Sequence, residues 1–427
     1  MVETLRHIRE LRARYEYARA REVAVRGGDD PELLLELGRL HEEFGDYDAS
    51  AEVLERARSG AGAELRAQAA AGLILAYGGQ SSYDQAEQLT RHALAEAREA
   101  LPPDSLVLAR LRMEAGALAA TLEKLDSAQE MLESALAVAR AAPAGPDRDH
   151  VLTATLGELG TLRWKQGRYA QGEQELREAV ALAEDTFGPD AIETATALNQ
   201  LGMLFKFSGN FDEARELYLR SVSILERAIG PEATSLASLH HNLGGLAHAR
   251  RDFAGGEPHG RRSVEIRTKA LGPDHVYTAI DKAAYSALLT GLDRLDEAEA
   301  LLREAIPVLE RVLGPEHREV AVYVNNLAAI LQRRGDLGEA EALYRRSLQI
   351  KEATLGGDAP PLAAPLNNLA LVLKKQGRYE EAAALYERAI RTLEGNVEED
   401  HPTLRSCRAN HAALLRAMGE KPPAVES

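Results

Sequence analysis

One phrase returns along this chain of 427 residues. It reads GRYEEAAALYERAI at 377–390, and its relatives align on the aromatic or leucine that follows a short turn: Tyr47, Tyr83, Leu125, Tyr169, Phe211, Phe253, Leu295, Leu337 and Tyr379. Successive anchors lie 36, 42, 44, 42, 42, 42, 42 and 42 residues apart. A fixed period of this length marks an array of small units, each burying its apolar face against its neighbours.

Each unit reads as helix, tight turn, helix. In the last one the first helix is expected over 363–376, the turn at Gly377-Arg378 and the second helix over 380–394. Leu366, Leu369, Ala370 and Leu373 give the first helix its apolar stripe, and Gly377 supplies the positive φ that stops it. Ala214, Ala298, Ala340 and Ala382, three residues after their anchors, are small enough for two helices to approach closely. Second helices end in a Gly-Pro-acid phrase: FGPD at 187–190, IGPE at 229–232, LGPDH at 271–275 and LGPEH at 313–317. Glycine ends the helix, proline forbids its continuation, and the acid is expected to cap the next first helix. His275, His317 and His401 share one linker position and are expected to serve the linker or cap rather than bind metal.

Composition supports an all-α chain. Ala, Leu, Glu and Arg dominate, and aromatics make up only 5%, which favours helix throughout. The single cysteine, Cys407, excludes an internal disulfide and a multi-cysteine metal site. A formal net charge of −16 argues against nucleic acid as the partner. No run approaches the ~18 apolar residues of a membrane span, and the arginine-rich start has no apolar region of signal type. A cytoplasmic location follows as the expectation. No Walker-type glycine loop, HExxH or GxSxG is present, so no enzyme, cofactor or metal is expected.

The helix pair with its small residue at the Ala382-type position resembles the tetratricopeptide repeat, whose usual period is ~34. The longer period, the LNNLA start at 366–370 and the LGPDH linker together are similar to kinesin-light-chain-type repeats, strongly over 150–419 and loosely over 33–149. The resemblance implies a right-handed α-solenoid of about nine helix-turn-helix repeats, with first helices lining a concave groove. The expected organisation is an N-terminal capping helix over 1–30 (Leu5, Ile8, Leu11, Tyr15 and Ala18 on its face) and three divergent repeats over 31–149. Six regular repeats and a capping helix, RANHAALLRAMG, occupy 150–419, and a disordered tail 420–427. The short N-terminal segment holds no long heptad coil, so a motor subunit is not expected.

The repeat register sorts the groove positions. Eleven residues before each anchor the series runs Glu36, Gly72, Glu114, Glu158, Gln200, Asn242, Ala284, Asn326 and Asn368, with Asn410 in the last helix. One residue earlier stand Asn199, His241, Asn325 and Asn367. Cations cluster near the ends of first helices, with Lys165, Arg333 and Lys375 four before the anchor and Lys206, His248 and Lys374 five before. An amide offers the donor and acceptor a peptide backbone needs, and neighbouring cations favour carboxylates. The expectation is a non-catalytic scaffold holding an extended, acidic protein or peptide segment. Two alternatives stand beside it: asparagines that bond repeat to repeat, and a regulatory or sensor protein whose coil changes shape on binding. The glycines and Pro258 of the Phe253 repeat, with Pro307 in the next, suggest a hinge over 253–310.

Overall fold

The turn inside each hairpin sets the frame. Two residues before every anchor the backbone enters the left-handed region, at Gly45, Ser81, Glu123, Gly167, Gly209, Arg251, Asp293, Gly335 and Gly377 in turn. Five are glycines and four carry a side chain there, a conformation that costs an L-residue about 1 kcal/mol. The geometry is therefore imposed by helix packing even where the sequence does not favour it.

The computed structural model describes residues 2–14, 16–59, 62–357 and 359–419. Among these, the regular structure is α-helix with one short 3₁₀ turn at Pro360–Leu362, and consecutive helices pack in pairs. The last repeat pairs Ala363–Lys375 with Tyr379–Leu393, close to the expected limits. Ala214, Ala298, Ala340 and Ala382 are fully buried. So are Tyr218, Tyr344 and Tyr386, seven residues after their anchors, and the Tyr218 ring lies where a Cβ on Gly202 would meet it at 2.9 Å. Each fully buried side chain of this size contributes about 2–3 kcal/mol relative to exposure. A buried hydroxyl ties the two helices of a hairpin together: Ser221 Oγ donates to the Ala195 carbonyl and Ser347 Oγ to the Ala321 carbonyl, both at 2.7 Å.

Two expectations are corrected. The acid of the linker does not cap the next helix; the histidine does. His275 Nδ1 accepts from the Tyr277 amide and His317 Nδ1 from the Glu319 amide, each at 3.2 Å, because the imidazole reaches the N2 amide from the N-cap position. His401 occupies the same place without a side-chain cap bond. The first 30 residues form two helices, Val2–Ala13 and Tyr17–Val25, where one was expected. Leu5, Ile8 and Leu11 are buried on the first and Tyr17, Ala20 and Ala24 on the second. Tyr15 and the tail 420–427 lie outside the described residues. Helices Phe253–Leu271 and Leu295–Leu313 run through Pro258 and Pro307 without a break.

The chain divides into two compact bodies. One comprises the chain up to Arg250 with Glu265–Ala270, the other Arg251–Val264 with the chain from Leu271 onward, so the division falls within helix Phe253–Leu271. In the C-terminal body, Lys282 stands where Leu366 stands two repeats later. It is buried to 6% exposure, with Nζ 2.7 Å from Glu304 Oε2. Its stem fills the apolar position while the charge reaches a carboxylate at the rim.

Candidate functional site

The N-terminal body closes on itself. Arg12, on helix Val2–Ala13, lies 3.3 Å from Glu36 and pairs with Glu43, both on the first helix of repeat one, Pro31–Phe44. It also lies 3.7 Å from Glu193 on the first helix of repeat five, Ile192–Ser208. Buried Tyr17 hydrogen-bonds the Ile192 backbone. Gly45 rests against Thr234 and Ser235 of helix Thr234–Ala249, where a Cβ would come within 3.1 Å of the Thr234 side chain. First helices thereby face one another across an interior.

That interior is charged. Glu36 and Glu114 are 6% and 8% exposed. Desolvation pushes the Glu43 carboxyl up to about 8 despite Arg12, with Glu193, Glu36 and Glu42 adding repulsion. Glu114 is pushed up to about 8 by desolvation, against the pull of Arg110, with Glu42 and Glu158 as like charges. Glu42 and Glu158 are raised as well, first by burial. His150 is pushed down to about 3 by desolvation and by Arg110, Arg39 and Arg12, which keeps it neutral. Burial also lowers Arg39 to about 10. Arg39 Nη1 bonds Glu36 at 2.9 Å, while Arg39 Nε, Arg110 Nε and Glu43 Oε2 are buried without a hydrogen-bond partner. Gly72 makes room for this cluster, since a Cβ there would sit 2.6 Å from Glu42 Oε1.

The groove residues expected from the repeat register fall in both bodies: Lys165, Asn199, Gln200, Lys206, His241 and Asn242 in the first, the others in the second. Several bond one repeat to the next. Asn242 Nδ2 donates to Asn199 Oδ1 and Asn410 Nδ2 to Asn367 Oδ1, both at 2.9 Å over a spacing of 43 residues. Gln200 Nε2 donates to Glu158 at 3.0 Å. Lys165 Nζ donates to the Ala120 carbonyl at 2.8 Å, and Arg333 donates to the Thr290 carbonyl at 2.8 Å and Asp293 at 2.7 Å. Both cations thus satisfy carbonyls at the end of the preceding first helix. Lys206 lies 5.2 Å over the Phe207 ring, and burial lowers its affinity for a proton. His241 is half-buried on helix Thr234–Ala249.

In the C-terminal body a different set remains. Asn326 and Asn368, on helices Arg318–Arg334 and Ala363–Lys375, are half-buried and make no side-chain hydrogen bond among the described residues. Asn325 Oδ1 is buried without a partner. Lys374 is half-buried and Lys375 exposed, and neither forms an ion pair among the described residues. The register of the repeats did not point to Arg12, Arg39, Glu43, Arg110, His150 or Glu193. The one signal that could have found some of them is the i, i+4 pair Arg110 and Glu114 on a helix whose only other charged residue is Arg112.

The family models bring these hairpins together with known proteins. The tetratricopeptide repeat model matches residues 151–227, 235–311, 282–353, 318–395 and 361–427, and a second tetratricopeptide repeat model matches 5–64. The chain belongs to the tetratricopeptide repeat family. Among curated proteins none matches the sequence. Among solved structures, this repeat protein is similar to kinesin light chain nearly identical TPR-like repeats from Podosopora anserina, at 22% identity. The match covers 44% of this chain and 88% of that one with a TM-score of 0.39. It is similar to a signal transduction ATPase with a tetratricopeptide repeat sensor from Pyrococcus horikoshii, at 13% identity and a TM-score of 0.58, covering 89% of this chain and 52% of that one. A Rap protein complexed with Competence and Sporulation Factor is 13% identical, with 83% and 99% covered and a TM-score of 0.50. The ATPase and Rap likenesses are likenesses of fold, and the tetratricopeptide repeat is in general an architecture of protein–protein interaction. No described helix is long and apolar enough to cross a membrane.

Proposed function

We propose that this tetratricopeptide repeat protein is a non-catalytic scaffold whose helices Arg318–Arg334 and Ala363–Lys375 hold an extended, acidic peptide segment. One observation supports the reading: Asn326 and Asn368, at the register positions expected to line the groove, take no part in the hydrogen bonds that Asn199, Asn242, Asn367 and Asn410 make between repeats. Half-buried amides without a bond keep both donor and acceptor for a backbone. Lys374 and Lys375, two turns further along one of these helices, add charge that suits a carboxylate. The Rap structure with its bound factor and the repeat sensor of the ATPase are precedents for such folds in recognition and regulation.

The test contrasts two kinds of asparagine. Asn326→Ala with Asn368→Ala should leave the melting temperature unchanged and weaken binding of a blocked oligo-glutamate peptide about tenfold, as the loss of two hydrogen bonds to a ligand would. Asn242→Ala should instead lower stability by about 1 kcal/mol without affecting that peptide. Equal binding by the double variant and the wild type would refute the assignment.

A further inference from the structure

We propose that Asn325 is a positioning residue for the peptide site: its buried acceptor takes a hydrogen bond from Asn368 when a ligand binds, and this turns Asn368 to receive a backbone N–H. The inference rests on the acidic-segment reading above and adds what orients the amide and which ligand group it selects.

First helices of successive repeats are joined by amide rungs. Three pairs of asparagines stand 43 residues apart at the same two register positions: Asn199 with Asn242, Asn325 with Asn368, and Asn367 with Asn410. In each pair the two helices touch directly. The first and third rungs are closed, with Asn242 donating to Asn199 and Asn410 to Asn367, both at 2.9 Å. The middle rung is open. Asn325 Oδ1 is buried with no hydrogen-bond partner, and Asn368, half-buried, makes no side-chain hydrogen bond among the described residues. A buried acceptor in that state is unfavourable until a donor reaches it, and the two closed rungs show that the donor at the register position of Asn368 is within reach.

The entry to the second helix of this rung is irregular. Helix Ala363–Lys375 follows the 3₁₀ turn Pro360–Leu362 and carries Pro365 near its start. Helix Arg318–Arg334 starts directly from its histidine cap. The open rung therefore coincides with the one 3₁₀ entry among the described residues.

Closing the rung defines what the ligand meets. Nδ2 of Asn368 carries two hydrogens. One bonded to Asn325 leaves the other, with Oδ1, held in a fixed plane as a donor and acceptor for one peptide unit. Oδ1 accepts a backbone N–H, so the site selects a segment with a free N–H at that point and disfavours an N-substituted residue there. Asn326 lacks such support, because the residue 43 before it is Ala283. Asn368 is thus the oriented contact of the two.

Calorimetric titration of the full chain separates this role from a structural one. Two blocked probes are compared: oligo-glutamate and a peptoid of N-(2-carboxyethyl)glycine, which keeps the charges but has no N–H along its backbone. The wild type should bind the peptide about tenfold more tightly than the peptoid. Asn325→Leu should weaken the peptide about fivefold and leave the peptoid unchanged. Its melting temperature should be no lower than that of the wild type, whereas Asn367→Leu, which breaks a closed rung, should melt earlier. Asn325→Leu with Asn368→Ala should bind the peptide no more weakly than Asn368→Ala alone, since the two amides act as a unit. Wild-type affinity in Asn325→Leu beside weakened binding in Asn368→Ala would overturn the positioning role and leave the acidic-segment reading standing. Equal affinity of the wild type for peptide and peptoid would overturn the N–H selection and with it the proposal. No binding of the peptide by the wild type would sink both readings. Should Asn325→Leu fail to fold, Asn325→Ala carries the same expectation.

Discussion

The two bodies are built from one repeat and differ in what they do with its inner face. The N-terminal body puts Glu36, Glu114 and Glu158 at the position where the C-terminal body puts Asn326 and Asn368. In the first, these carboxylates are enclosed with arginines, and desolvation holds Glu43 and Glu114 near 8. In the second, charge sits on solvated helix surfaces, where Arg303 lies 2.8 Å from Glu339 and Arg294 3.1 Å from Glu257. Hydrogen bonding from Arg303 lowers the Glu339 carboxyl, and hydrogen bonding from Tyr285 lowers Glu257. A repeat therefore fixes where a side chain points, while the closure of the array decides how much water that side chain keeps.

The largest test of this contrast removes the closure. Arg12 is the cation shared by Glu36, Glu43 and Glu193, with 21% of its side chain exposed. Burial opposes its charge, but the three carboxylates together raise its affinity for the proton. Arg12→Ala leaves Glu43 and Glu193 facing one another without the cation that pairs them and leaves Glu36 to Arg39 alone, a change that costs about 3 kcal/mol in partly enclosed pairs. The single tryptophan, Trp164, stacks on Phe207 at 4.3 Å within this body and reports on it selectively. Urea unfolding followed by Trp164 fluorescence should shift to lower urea, and amide exchange should rise over 2–44 and 192–249 but not over 318–393. Unchanged exchange over 192–249 would show that the closure contributes nothing.

A smaller effect separates the bodies by pH. Glu43 and Glu114 bind protons more tightly folded than unfolded, where a glutamate titrates near 4.3. Their contribution to stability is complete below that value and is lost as pH rises toward about 8. Glu339 and Glu257 have the opposite sign: their contribution is present at neutral pH and disappears as pH falls through their lowered folded values. The Trp164-monitored free energy should fall by on the order of 2 kcal/mol from pH 5 to pH 8, and Glu114→Gln should flatten that slope. A slope unaltered by the substitution would mean that Glu114 ionises freely in the folded state.

The sequence made the hairpins, the turn positions and the tight alanines legible, because each recurs at a fixed distance from an anchor. Asn199, Asn242, Asn367 and Asn410 were visible by the same rule, although periodicity alone does not separate a bond between repeats from a bond to a ligand. Their partners lie 43 residues away, one more than the period, and only coordinates show which amide meets which. The cluster around Arg12 was hidden for a different reason. It joins residues 12, 36, 43 and 193 through the curvature of the array, and no spacing in the chain encodes curvature. The histidine caps were half legible: the position was evident, but acids are the commoner N-cap residues and masked them.

The smallest expected effect compares two strained turns. Ser81 in the N-terminal body and Asp293 in the C-terminal body hold φ of 59° and 62° at equivalent places. Glycine relieves that strain, about 1 kcal/mol, and loses part of the gain to its greater freedom in the unfolded chain. Ser81→Gly should therefore stabilise by about 0.5 kcal/mol. Asp293 differs because its Oδ1 accepts a 2.7 Å bond from Arg333 of the next repeat, and asparagine-like side chains tolerate this region better. Asp293→Gly should destabilise by about 0.5 kcal/mol, the exposed ion pair outweighing the small relief. Chemical denaturation of both variants gives the signs directly. If both stabilise equally, the Arg333 contact adds nothing, and the cation four residues before the anchor is available to a ligand after all.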